Sequence, residues 1–370
     1  MTPPLRLTPH EARRIAVAAT LLDPTALSLD DVLQRLRIVQ LDSITALARA
    51  HQLTLTARLP HLTTSQADTL LHHQQRPLTF EYPAHAHALV PLDDWPLWAF
   101  RRRAARRRPE YPPPAERCRI LALLREHGPL THAGLRPPGA QASAGWSWGP
   151  AKRAVEFMLW AGDLICVHRT ASWQRLFDLP ERHLPDHLHT DTLTDDACLT
   201  TLLTHAGRAL GTATTSDLAD YLRIPTRHAT RLLPHTPLLP TTIPHWPPNT
   251  WTHPDALNPP PTSPEQAQLL GPFDNLVWNR PRTRRLFGFT HVFEAYKPAE
   301  HRTYGYYVCP LLTDDQLTAR ADLTRNGHHL TVLRTHAEPD APADTPARLA
   351  RACRRLQHTL AGIAFGAGPA

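Results

Sequence analysis

Gln40 and Asp42 are the residues of this 370-residue chain whose types and spacing could do chemistry. They interrupt the apolar run Ile38, Val39, Leu41 and Ile44. Alternation along a strand would put Gln40 and Asp42 on one face while Val39 and Leu41 pack on the other. A carboxylate and an amide at the rim of an apolar layer must be solvated, paired or used. Used, an aspartate anion can stabilise a developing positive charge and activate a water, and a neutral amide can orient that water. Paired, Asp42 would N-cap a helix starting near Ser43 and Gln40 would satisfy a backbone group. Spacing alone leaves both readings open, and the two roles can coexist.

The surrounding elements must position this pair. "TPHEARRIAVAATLL" carries a cap-like Thr8 with Glu11 three residues on, and Ser28 opens a second helix over 28–36. A helix is expected from Ile44 to Leu59, another over "TSQADTLLHH", and an extended segment over "FEYPAHAHALVP". "FRRRAARRRPEYPPP" places six arginines within 101–108 and reads as a boundary, either a solvated basic linker or a polyanion site. Beyond it come a helix from about Arg117 to Gly128, a second helix, and a helix from about 150 to 161 stopped at Gly162. The strands "LICVHR" and "WQRLFDL" follow. That is the order of a winged helix, and 191–262 repeats it. From Leu269 the texture becomes strand-rich. "HVFEAY" and "TYGYYVCPLL" are expected to pair around the basic tip "KPAEHR", a second hairpin turns at Asn326-Gly327, and a helix closes the chain. The expected fold class is α+β, with domains over 1–108, 109–190, 191–262 and 263–370.

The formal charge is +7, and Lys152 and Lys297 are the only lysines. An arginine-rich surface suits phosphate, which favours a polyanionic partner. Five scattered cysteines without a CxxC pair point to a reducing compartment, and neither a disulfide scaffold nor a zinc site is indicated. No signal-like apolar core opens the sequence and no apolar run reaches eighteen residues, so the expectation is a cytoplasmic protein with no membrane partner. His85 and His87 would alternate on one strand face and could bind a metal, but no cysteine or acidic cluster accompanies them. His183, His187 and His189 read as a histidine-rich loop. The expectation is no metal and no cofactor.

The stretches "VQLDSI…ARAH…L…RL", "FEYPAHAHALVP", "GPFDNLVWNRPRTRRLFGF" and "YGYYVCPLL" together resemble the winged-helix DNA glycosylases of the AlkZ/YcaQ type, from about residue 6 to the C-terminus. The resemblance implies tandem winged-helix domains and a β-rich hairpin region forming a C-shaped basic channel for duplex DNA. It also implies excision of alkylated purines and unhooking of interstrand crosslinks. Gln40-Leu41-Asp42 resembles the Gln-apolar-Asp form of the family's active-site motif. The chain departs from the family pattern at Pro83, where relatives read Trp, and at Thr324, where they read Lys.

The chemistry fits those residue types. A purine alkylated on its Hoogsteen nitrogen is already cationic and leaves without protonation, so a general acid is dispensable. Asp42 would stabilise the oxocarbenium-like sugar and activate a water that Gln40 orients, as in inverting glycoside hydrolysis with one carboxylate omitted. Neither lysine lies near the motif, so no lyase step is expected. The candidate DNA contacts are His85, Lys152, Arg153, Arg280, Arg284, Lys297, Arg302 and Tyr304. Arg282 and Arg285, beside Trp278 and Phe287, are either phosphate contacts or surface around a packed core. The partner expected is double-stranded DNA carrying alkylated purines or crosslinks, bound by a monomer associated with the nucleoid. The competing readings are a non-enzymatic winged-helix DNA-binding protein or regulator and, more remotely, a histidine-based metal hydrolase.

Overall fold

The structure is a computed structural model that describes residues 3–22, 27–71, 77–137, 139, 148–260, 267–327 and 329–361. The chain divides into two compact units, one made of Met1–Leu70 with Leu202–Ala370, the other of Leu71–Thr201.

In the first unit, β1 (Leu5–Arg6) leads into α1 (Pro9–Ala19), where the expected capping box is present. Thr8 Oγ1 accepts from the Glu11 N–H at 3.2 Å, and Glu11 Oε2 accepts from the Thr8 N–H at 2.7 Å. Ser28 and Asp31 cap α2 (Leu29–Leu36) in the same way. Arg37, left-handed at φ 58°, ends α2 and turns the chain into β2 (Val39–Gln40). Asp42 therefore lies beyond the strand rather than within it. The helix expected from Ile44 begins only at α3 (Ala50–Arg58). The backbone groups that would have built its first turns are engaged elsewhere. The Ile44 N–H donates to Asp42 Oδ1 at 2.8 Å, and the carbonyls of Ala46 and Leu47 accept from Arg325 at 3.0 and 3.3 Å. α4 (Thr64–Leu71) follows, and its expected extension to His73 falls outside the described residues.

The second unit opens with a hairpin of β3 (Thr79–Tyr82) and β4 (Ala88–Pro91). His85 and His87 sit in the bend between these strands, not on a strand face. Ala86 turns the chain there at φ 52°, and Arg101 takes up the carbonyls of Pro83 and Ala84. The arginine run is no linker, because it forms α5 (Ala99–Arg106). Arg102 is buried and donates to the Trp95 carbonyl, Arg103 pairs with Asp191 and Asp195, and Arg106, Arg107 and Arg108 remain exposed. α6 (Pro114–His127), β5 (Leu130–Thr131), α7 (Pro150–Ala161), β6 (Ile165–Arg169) and β7 (Arg175–Asp178) complete the unit. The sheet order is β5–β7–β6, and Ile120, Leu124, Val155, Met158 and Phe177 fill the core. Where a second helix was expected, residues 132–135 form turns and 140–147 lie outside the described residues.

α8 (Asp195–Leu210) carries the chain back to the first unit, followed by β8 (Thr212–Thr214), α9 (Thr215–Tyr221), α10 (Thr226–Leu232), β9 (Leu239–Thr242) and β10 (Thr250–Thr252). These strands form a sheet of order β1–β9–β10–β8, β1 joining in parallel. The expected domain boundary at 262 lies outside the described residues. Then come β11 (Ala267–Leu269), α11 (Arg280–Phe287), β12 (Val308–Thr313), β13 (Gln316–Asn326), β14 (His329–Ala337) and α12 (Thr345–Ala361). β11 to β14 make an antiparallel sheet in sequence order. The hairpin at Asn326-Gly327 is present, with Asn326 paired to His329 and Gly327 at φ 58°. The strand expected over "HVFEAY" is not formed. In that region the N–H groups of Thr303, Tyr304 and Gly305 go to the Glu294 carboxylate instead of to a partner strand. Leu349, Ala352, Leu356 and Leu360 of α12 share a core with Leu47, Ala48, Tyr307 and Leu311.

Candidate active site

Gln40 and Asp42 are held in place by groups at both ends of their segment. Upstream, the Leu36 carbonyl accepts from Tyr221 Oη at 2.5 Å, and the Ile38 carbonyl accepts from Asn275 Nδ2 at 2.8 Å. Asn275 Nδ2 also lies 2.7 Å from Tyr221 Oη, so the two side chains support each other. Downstream, Arg325 grips Ala46 and Leu47 and is itself tied back to the Gly327 carbonyl at 2.5 Å. Val39 is buried at 1% exposure and Leu41 at 8%, which anchors the backbone and leaves Gln40 and Asp42 half-buried beside them.

Asp42 does not cap a helix. Its Oδ1 accepts the Ile44 N–H in a local turn, while Oδ2 receives no hydrogen bond from the described residues. The Gln40 side-chain amide likewise has no partner among them. Two polar side chains of a rigid apolar segment are thus left with free hydrogen-bonding capacity. Burial raises the Asp42 pKa above the ordinary aspartate value, partly offset by the Ile44 N–H. The arrangement is a partly desolvated carboxylate with one free oxygen, next in sequence but one to a free amide. Such a pair can bind a water and face a cationic centre.

The same unit also holds an enclosed pair of fixed charges. Arg58 and Asp274, both fully enclosed, make a two-pronged ion pair at 2.7 and 3.0 Å, and Arg58 Nε donates to the Thr20 carbonyl at 2.6 Å. Among the described residues no three His, Cys, Asp or Glu side chains come together as a metal site, and none of the helices is long and apolar enough to cross a membrane. His87 pairs with Glu81 at 2.8 Å and all five cysteines are free thiols.

The sequence profile of the DNA glycosylase AlkZ-like family matches residues 33–359. The chain belongs to that family. The fold is also similar to that of the Streptomyces sahachiroi DNA glycosylase AlkZ, with a TM-score of 0.65 and 14% identity over 97% of this chain and 98% of that one. The AlkZ-like match spans the Gln-Leu-Asp segment and the side chains that hold its two ends, Tyr221, Asn275 and Arg325.

The other candidates of this AlkZ-like chain fall on several elements. Lys152 and Arg153 are exposed on the first turn of α7, and Lys152 Nζ lies 5.6 Å from the Trp148 ring. Arg280 and Arg284 are exposed on α11, whereas Arg282 is buried and donates to the Leu210 and Thr212 carbonyls at 2.8 and 3.4 Å. Arg285 pairs with Asp217. His85 is 3% exposed. The 294–305 loop is built on Glu294. Burial alone would raise that carboxyl's pKa, but Lys297 at 2.8 Å and the N–H groups of Tyr304, Thr303 and Gly305 outweigh it and hold the pKa at about 2. Lys297 is thus paired but still exposed, Arg302 Nε donates to the Lys297 carbonyl at 2.9 Å, and Tyr304 stands edge-on to His336 at 5.2 Å. The same loop presents Tyr296, 79% exposed, and it is followed by Tyr306, 38% exposed with Arg302 5.0 Å over its ring. Sequence reading passed over both, together with Tyr221, Asn275, Tyr307 and Arg325. The local signal that could have raised Tyr296 is its place beside Lys297 in a basic tip.

Proposed function

We propose that the protein hydrolyses the N-glycosidic bond of alkylated, cationic purines in double-stranded DNA and unhooks interstrand crosslinks by the same reaction. The bond's electron pair leaves with the base and neutralises its charge. Water adds to the sugar carbon, and Asp42 takes the proton. Gln40 orients the water. The observation that carries this reading is that, among the described residues, neither Oδ2 of Asp42 nor the amide of Gln40, two positions earlier, has a hydrogen-bond partner, on a segment whose backbone is held at both ends.

In this reading the helix, strand, helix and hairpin runs over 114–178 and 195–252 act as winged-helix modules along a basic channel. Exposed Lys152, Arg153, Arg280, Arg284 and Lys297, together with half-buried Arg302 and Tyr304, supply phosphate contacts, and His85 supports them from a buried position. No lyase step and no metal are involved, and one copy suffices, working on the nucleoid in the cytoplasm. The test is release of free base from duplex DNA carrying 7-methylpurines and from a nitrogen-mustard crosslink. Wild type should release base from both substrates, and Asp42→Asn from neither. Tight sequence-specific binding to unmodified duplex with no release would instead establish a non-enzymatic DNA-binding protein.

A further inference from the structure

The side chain of Tyr307 is fully enclosed, at 0% exposure. It belongs to the same core cluster as Leu47 and Ala48, against which Ile44, two residues after Asp42, also packs. Its position is fixed from several sides. The Phe293 ring stands edge-on at 6.3 Å, and the Tyr307 N–H donates to Asp322 Oδ1 at 2.9 Å. Gly305, at φ 141°, lets the chain pass Asp322, because any side chain there would collide with that carboxylate. Despite this close confinement, Tyr307 Oη has no hydrogen-bond partner among the described residues. An enclosed hydroxyl left unpaired is destabilising, and a phenylalanine would fill the same space without that cost. An orphan of this kind calls for a bound water or a functional role.

The charges that reach Tyr307 come from Cys309, Asp42 and Tyr306. Burial first, then these groups, push its phenol well above the ordinary range, so it stays protonated and able to donate. Among the described residues no group donates to Asp42 Oδ2, which leaves that oxygen able to accept.

We propose that Tyr307 is a positioning residue for Asp42, its hydroxyl donating to an enclosed water that in turn donates to Asp42 Oδ2. No bond is made or broken at Tyr307. The bridge fixes the orientation of the free carboxylate oxygen and favours its ionised form, opposing the burial that disfavours it. The functional part of this inference rests on the reading of Asp42 as the reacting carboxylate, but the linkage itself is a property of the free protein.

The experiment is therefore carbon-13 NMR of the free, full-length protein. The Asp42 carboxyl is titrated in wild type and in Tyr307→Phe, and the Tyr307 ring carbon bearing oxygen is followed in wild type and in Asp42→Asn. Tyr307→Phe should raise the Asp42 midpoint by about one pH unit. The Tyr307 resonance in wild type should follow that same titration and lose the inflection in Asp42→Asn. An unchanged midpoint overturns the proposal. Should Tyr307→Phe fail to fold, a wild-type Tyr307 resonance blind to Asp42 overturns it equally. Excision assays run beside the titration separate the two ideas. Absence of base release by wild type refutes the proposed function alone, whereas a pH–rate limb displaced upward in Tyr307→Phe with KM unchanged supports both.

Discussion

Asn275 donates its side-chain N–H to the carbonyl of Ile38, two residues before Gln40 and 237 positions away in the chain. The same nitrogen meets Tyr221 Oη, which in turn secures the Leu36 carbonyl. Asn275→Ala should therefore leave a buried carbonyl and a buried phenol short of a partner and cost about 1–3 kcal/mol in urea denaturation. Its excision rate should fall by more than its DNA affinity, because the defect misplaces Gln40 and removes no phosphate contact.

The Arg58–Asp274 pair is enclosed on both sides. Asp274→Ala strands a buried guanidinium and should cost about 3–5 kcal/mol. The double replacement Arg58→Met, Asp274→Leu should recover most of that loss. A double variant no more stable than Asp274→Ala would show that the pair's geometry, and not only its charge balance, sustains the fold.

The pH dependence follows from the direction of the Asp42 shift. Burial raises its pKa above the ordinary value of 3.8. Only the ionised form can take a proton from water, so excision should rise with pH through that elevated pKa and level off above it. The raised folded-state value also means that the folded protein binds this proton more tightly than the unfolded chain does. Ionised Asp42 therefore detracts from stability above its folded pKa. Asp42→Asn should melt at the same temperature or higher at neutral pH, while excision falls by about 10²–10⁴-fold.

Glu294 has the opposite sign. Its folded pKa of about 2 lies below the ordinary 4.5, so its contribution is fully present above the unfolded value and is lost as pH falls from there through about 2. Glu294→Gln should flatten the stability curve across that window and weaken DNA binding by loosening the loop that presents Tyr296 and Lys297.

The arginines of α11 should separate by burial. Arg284→Ala, at an exposed position, should lower DNA affinity and reduce the slope of log affinity against log salt by about one. Arg282→Met should leave that slope unchanged and lower stability instead, since its guanidinium serves the Leu210 and Thr212 carbonyls.

The features legible in the sequence were the local ones. The capping boxes at Thr8 and Ser28, the stop at Gly162 and the turn at Gly327 each involve residues a few positions apart. Gln40 and Asp42 stood out because polar side chains broke an apolar run. The supports of that pair were hidden, because Asn275 and Arg325 act on carbonyls more than 200 residues upstream and no periodicity records such a meeting. The same long-range contacts account for the missing start of the helix expected at Ile44. Glu294 misled the strand reading of "HVFEAY" similarly, since a carboxylate that collects three backbone N–H groups leaves the hydrophobic alternation of its neighbours unchanged. Arg282, one of a row of arginines, could not be told from Arg284 without knowing which face was covered.

The grip of Arg325 on Ala46 and Leu47 also bears on the order of synthesis. A ribosome delivers Asp42 early, but the arginine that shapes the loop behind it emerges 278 residues after Leu47. A nascent or prematurely terminated product carries Asp42 without the clamp that shapes the loop behind it. On the proposed reading, base excision therefore waits until residue 325 has been made, and fragments that end before it are expected to release no base.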